Sequence, residues 1–217
     1  MDLDRAIELE PENAVALANR AAVHLEAERY DAAVRDYDES LRLDPDRAYP
    51  LRGRGCALRK LGRFDEALRD LDRSLLLEPD DAFALANRGS IHRAAARFEP
   101  ALRDFDRALQ LDPDNPLALP GRGHAYCQMG RLDEALRDLD RAVLLDPDDS
   151  FAVGGRADTH LAAGRFELAL RDYDRSLQLC PDDAYGLRGR AETHLALGDQ
   201  RSADRDSEAA QALRARE

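Results

Sequence analysis

Prolines fall at Pro11, Pro45, Pro79, Pro113, Pro147 and Pro181, each 34 residues after the one before. A period of this length without a slip restricts the chain to a stack of repeated supersecondary units, each unable to bury its apolar face without a neighbour. Equivalent letters should then occupy equivalent places, so every motif is read by its position in the unit. Position 1 is set at Ala14, Ala48, Ala82, Pro116, Ser150 and Ala184, which leaves six copies after a leading part copy in residues 1–13.

Position 8 holds Ala21, Gly55, Gly89, Gly123, Ala157 and Ala191, and position 20 holds alanine from Ala33 to Ala203 in every copy. Small residues at two fixed places mark where two backbones approach closely. Bulk beside those gaps comes from position 17 (Tyr30, Phe64, Phe98, Leu132, Phe166) and position 24 (Tyr37, Leu71, Phe105, Leu139, Tyr173). Apolar residues recur at three- and four-residue spacing over positions 2–14 and again over 18–30, the helical period, so each unit is read as two helices. Gly62, Gly130, Gly164 and Gly198 at position 15 suit the left-handed turn that leaves a helix. Acidic pairs such as Asp65–Glu66 open the second helix, and the acids after each periodic proline are expected to cap the next first helix. Pro50, Pro100, Pro116 and Pro120 fall within the first turn or so, with Pro120 deepest and expected to bend its helix slightly.

This pattern, with apolar position 4, small 8, small 20, aromatic 24, small 27 and proline 32 at a period of 34, resembles the tetratricopeptide repeat in its bacterial type. The resemblance covers essentially the whole chain. It implies an all-α fold, a right-handed α-solenoid or superhelix of stacked antiparallel helix pairs. The units are then 14–47, 48–81, 82–115, 116–149, 150–183 and 184–217 in one solenoid domain, preceded by the second helix of a truncated repeat in 1–13. Position 24 becomes Ser207 and position 17 Gln200 in the last copy, whose polar tail QALRARE reads as a degenerate cap. The chain therefore looks like a fragment of a longer protein ending at its natural carboxyl terminus. Leu3, Ala6 and Ile7 lack their own first helix, and this orphan helix offers a surface for pairing with a second copy.

One departure from the family is regular. Position 7, usually leucine there, is Arg20, Arg54, Arg88, Arg122, Arg156 and Arg190, while position 23 is Asp36, Asp70, Asp104, Asp138, Asp172 and Asp206. The two sets are expected to form a ladder of bidentate ion pairs between the helices of the same or adjacent repeats. The stretch 51–62, LRGRGCALRKLG, is accordingly helix rather than a phosphate loop, because a phosphate cradle needs free backbone amides at a strand-to-helix turn.

Catalytic and metal signals are weak. His24, His92, His160 and His194 share position 11, so they are spread one per repeat with a packing role; His124 and Cys127, three residues apart, are two ligands and not a site. Cys56, Cys127 and Cys180 fit neither a disulfide framework nor a CxxC site and read as small apolar filler. The carboxylates recur on outward helix faces and read as solvated surface. No enzyme activity and no cofactor is expected. The net charge of −12 disfavours sequence-independent binding to nucleic acid or anionic membrane, no apolar run is long enough to span a bilayer, and MDLDRAIELEPEN lacks the features of a secretion signal, which together point to the cytoplasm.

In the family the resemblance points to, first helices line a concave surface, with positions 2, 5, 9, 12 and 13 facing into it. Carried onto this chain, position 2 gives Tyr49, Phe83, Leu117, Phe151 and Tyr185, either peptide anchors or packing against the preceding helix. The same carry-over places Arg52, Arg59, Lys60 and Arg93 in one basic patch, beside Asn87, with Arg188 at position 5 of the last copy. Some family members hold acidic chaperone termini through a Lys, Asn, Asn, Lys, Arg set. The matching positions here are Arg52, Cys56, Asn87, Leu117 and Gly121, so that partner is not expected. The expectation is a protein-interaction scaffold binding a peptide or extended segment, acidic or carboxyl-terminal, in the groove. Two alternatives stand beside it: the partner-recruiting or sensor arm of a larger bacterial signalling protein, and, less favoured, an RNA-binding solenoid.

Overall fold

A computed structural model describes residues 3–215; the expectations that fall on residues 1–2 and 216–217 lie outside the described residues. The chain divides into two compact units, Met1–Asn115 and Pro116–Glu217. Unit 1 holds α1 (Leu3–Leu9), α2 (Ala14–Glu26), α3 (Tyr30–Leu43), α4 (Ala48–Lys60), α5 (Phe64–Leu77), α6 (Ala82–Ala94) and α7 (Phe98–Leu111). Unit 2 holds α8 (Ala118–Gln128), α9 (Leu132–Leu145), α10 (Ser150–Ala162), α11 (Phe166–Leu179), α12 (Ala184–Ala196) and α13 (Gln200–Arg214). No strand occurs among the described residues, and each unit is a solenoid of antiparallel helix pairs. Within unit 1 the first helices α2, α4 and α6 touch in order, as α8, α10 and α12 do in unit 2, so first helices form one continuous layer in each unit.

Local chemistry sets the helix ends. Asn13, Asp81, Asp149 and Asp183 accept hydrogen bonds from the first backbone amides of α2, α6, α10 and α12. The expected acid cap fails at α4, which follows Arg47 without a side-chain cap, and α8 starts only at Ala118. Pro116 and Leu117 therefore precede the helix, and Pro120 lies in the first turn, no deeper than Pro50 or Pro100. Gly62, Gly130, Gly164 and Gly198 take φ of +70° to +81°, and the same turn forces Glu28 and Ala96 to φ of +57° and +54°. At those two residues the left-handed conformation costs about 1–2 kcal/mol each.

Packing follows the size code. Gly55, Gly89 and Gly123 lie under Leu71, Phe105 and Leu139, the position-24 residues of their own units, at distances where a Cβ would meet side-chain carbons at 2.8, 2.9 and 2.6 Å. In two of the three copies with alanine at position 8, position 24 is Tyr37 or Tyr173, and the ring leans instead onto the glycine at position 6 of the following repeat, Gly53 or Gly189. Position 17 does not share this burial. Phe64 is 43% exposed, because the second helix has only just begun there and its first residue still faces the turn. At position 27, Ser40, Ser74 and Ser176 donate to the carbonyls of Ala14, Ala48 and Ser150, tying each second helix to the start of its first. The cysteine reading holds for buried Cys56 and not for Cys180, which is exposed beside the proline that ends its repeat.

Candidate peptide-docking face

The ion-pair ladder is built within repeats. Arg20 Nε and Nη2 donate to Asp36 at 2.7 and 2.9 Å, and the same two-point geometry joins Arg54 to Asp70, Arg88 to Asp104, Arg122 to Asp138, Arg156 to Asp172 and Arg190 to Asp206. The free Nη1 adds a contact that the sequence reading missed. It reaches the position-25 aspartate of the preceding repeat: Asp4, Asp38 and Asp72 in unit 1, Asp140 and Asp174 in unit 2. Each of these arginines thus joins its own helix pair to the preceding repeat. The hydrogen bond donated to the position-23 aspartate is the main reason Arg54 and Arg88 hold their protons more tightly than an ordinary guanidinium. His24, His92 and His160 lie beside the same aspartates, Nε2 to oxygen 3.6, 4.0 and 3.9 Å, and burial holds the last two rings below the usual imidazole pKa. Shared register gives them a shared place, one per repeat. Among the described residues no group of three or more His, Cys, Asp or Glu could hold a metal ion.

With position 7 spent on the ladder, the open face of the first-helix layer is left to the other outward positions. Tyr49, Phe83, Phe151 and Tyr185 are 37%, 41%, 40% and 59% exposed, so none is simply packed away against the preceding helix; Leu117 is half-buried. In unit 1, Arg52 lies between two of these rings, its guanidinium 5.3 Å from the Tyr49 centroid and 5.6 Å from that of Phe83. In unit 2, Arg188 lies over Tyr185 at 5.6 Å, and Phe151 stacks on His124 with centroids 4.0 Å apart.

The basic patch is smaller than expected. Arg52 donates to the buried carboxylate of Asp81 at 2.9 Å, the same aspartate that caps α6, and Glu78, Asp80 and Asp112 line the cleft beside it. Its charge is neutralised locally, because a carboxylate placed for capping also lies within reach of the previous first helix. Arg59 Nε donates to Asn87 Oδ1 at 2.8 Å, and Asn87, fully buried, donates in turn to the Phe83 carbonyl. Neither Arg59 nor Lys60 has a carboxylate at ion-pair distance among the described residues; Lys60 is exposed and Arg93 half-buried. Within this patch, Arg59 and Lys60 at the end of α4 therefore keep their charge without a carboxylate partner among the described residues.

These features, stacked helix pairs with small-residue contacts and an aromatic, charged first-helix face, define a helical-repeat scaffold for protein–protein interaction. Tetratricopeptide-repeat models match residues 21–88, 89–153 and 155–216, and the chain belongs to the tetratricopeptide-repeat family. A comparison with curated proteins gave no match. Among solved structures it is similar to Cut9 in the APC/C Cut9–Hcn1 hetero-tetramer, with TM-score 0.89, 17% identity and 99% of this chain covered; the match spans only 42% of that chain. It is also similar to PilW, a type IV pilus biogenesis factor, with TM-score 0.77, 22% identity and 92% of each chain covered. A third likeness is to YrrB, described as a TPR protein with an unusual peptide-binding site, with TM-score 0.61, 24% identity, 86% of this chain and 96% of that one covered. At these identities the likeness is one of fold. No helix among the described residues is long and apolar enough to cross a membrane.

Proposed function

We propose that this protein is a peptide-docking scaffold whose unit 1 binds an extended partner segment along α4 and α6, with an acidic side chain or carboxyl terminus held at Arg59 and Lys60. The observation that carries this reading is the pair of cations closing α4 without carboxylate partners, flanked by the half-exposed rings of Tyr49 and Phe83. Aromatic rings supply contact area at low entropic cost, and unpaired cations select the sign of the ligand. Hydrogen bonds to charged groups contribute about 1.5–3 kcal/mol each. The double variant Arg59→Glu/Lys60→Glu is therefore expected to weaken partner capture from native lysate at least about tenfold. Lys60→Glu alone, which leaves the Arg59–Asn87 hydrogen bond in place, should show part of that loss. Capture unchanged in both variants, with helical circular dichroism retained, removes this patch from the binding face.

A further inference from the structure

Position 9 of the repeat is Ala22, Cys56 and Ser90 in unit 1 but His124, Asp158 and Glu192 in unit 2. The middle one of these three is unusual. Asp158 on α10 sits in an open cleft of about 710 Å³ bounded also by Cys127 of α8, Phe166 and Tyr173 of α11 and Tyr185 of α12. Tyr173 Oη donates to Asp158 Oδ1 at 2.6 Å, and Tyr185 lines the same cleft. Gly189 makes room for this arrangement, since a Cβ there would fall 2.3 Å from the Tyr173 hydroxyl.

Among the described residues no cation lies at ion-pair distance from this carboxyl. Arg188, the one cation lining the cleft, donates to the Ala184 carbonyl at 3.3 Å and lies over the Tyr185 ring, without an ion pair to Asp158 among the described residues. Glu192 lines the cleft too, and Asp183, the α12 cap, lies near enough to push Asp158 further toward its protonated form. Burial is the largest cause of that push, and it brings the Asp158 carboxyl up to about 6; the neighbouring negative charge drives Tyr185 up to about 12. Asp158 and Glu192 in the cleft, with Asp183 close by, against one guanidinium make it a place where an incoming cation is favoured.

We infer that this cleft receives a lysine side chain of an extended polypeptide partner, its ammonium on Asp158 and its methylene stem along Leu161, Ala162, Phe166 and Ala196. A long amphipathic side chain of this kind buries its stem on apolar surface while its head keeps polar company. Lysine fits better than arginine because an ammonium is a point charge that can approach the carboxylate from any open side, whereas a guanidinium fork needs both oxygens along one edge and Tyr173 already donates to Oδ1. The inference rests on the docking reading only for the source of the lysine; the cleft is lined wholly by residues of unit 2, whereas Arg59 and Lys60 belong to unit 1.

The test is a solution NMR titration of the full chain with three probes: n-butylammonium, the capped peptide Gly-Gly-Lys-Gly-Gly, and the same peptide with norleucine in place of lysine. The Tyr173 and Tyr185 ring signals should shift saturably at pH 7.5 with both lysine-type probes and not with norleucine. Around Asp158 the groups that face it are Cys127, Tyr173, Tyr185, Arg188, Glu192 and Asp183. Because only ionised Asp158 attracts the ammonium, affinity at pH 5 should be about tenfold below that at pH 7.5, the factor set by a carboxyl that titrates near 6. Asp158→Asn should abolish the response, and the pH comparison on the unaltered protein keeps the test decisive if that variant folds poorly. Equal shifts with norleucine, or no pH dependence, overturn the inference. A response to n-butylammonium but not to the lysine peptide overturns the polypeptide source and assigns the cleft to a free amine. Capture by unit 1, read through Arg59 and Lys60, is unaffected by any of these results, so the two readings fail separately.

Discussion

Gly55→Leu is expected to destabilise unit 1 by about 3 kcal/mol or more, at the upper end of what overpacking a core costs. A bare Cβ at this residue would already lie 2.8 Å from Leu71 Cγ and 3.3 Å from the Ala67 carbonyl oxygen. Leu71 is fully buried and has nowhere to retreat, and the carbonyl belongs to the backbone of α5. Loss of glycine from a helix interior returns only about 1 kcal/mol of helix propensity, so the steric cost wins. Chemical denaturation followed by circular dichroism reads the change. An unfolding free energy within about 1 kcal/mol of the unaltered protein would mean that α4 and α5 do not approach as closely as their size code says.

The second large effect is at the ladder. Asp104→Ala is expected to cost about 3 kcal/mol, because it leaves the Arg88 guanidinium inside the seam with only Asp72 to pair with. The Asp104 side chain is 8% exposed and that of Arg88 24%, which places the pair closer to the buried limit than to a surface bridge worth under about 1 kcal/mol. Arg88→Met alone should cost about as much, since it strands Asp104. The double variant Arg88→Met/Asp104→Leu should recover most of the loss, because apolar replacement of both partners removes the desolvation penalty together with the attraction. A double-mutant cycle isolates the coupling. Losses that simply add would place these arginines in solvent.

Much of this was readable without coordinates, and the reason is redundancy. A residue repeated every 34 positions is averaged over six environments, so Arg88 and Asp104, sixteen residues apart in every copy, declare their pairing by charge alone. The left-handed glycines were equally plain, because only one conformation closes that turn. Features that break the period were hidden. Asp81 reads as a helix cap, and nothing in its position says that it also neutralises Arg52, twenty-nine residues away and on another helix. The position-25 aspartates looked like solvated surface because their partner was already assigned to position 23. Asp158 was invisible for the same reason in reverse: its burial depends on Tyr173 and Gly189 from two other helices, and no other copy combines them with an acid at position 9. The glycines at position 6 that receive Tyr37 and Tyr173, Gly53 and Gly189, were present in the letters. Their role becomes intelligible only once the direction of the ring is seen.

In the proposed function the first-helix face is the docking surface. Site-specific photo-crosslinking tests this directly, with a benzophenone side chain at Phe83, 41% exposed on α6, or at Leu76, 82% exposed on the second-helix side of unit 1. Irradiation in native lysate should give a discrete adduct from Phe83 that diminishes with Arg59→Glu/Lys60→Glu, and none from Leu76. The same adduct formed from Leu76 alone, or equally from both, would contradict it.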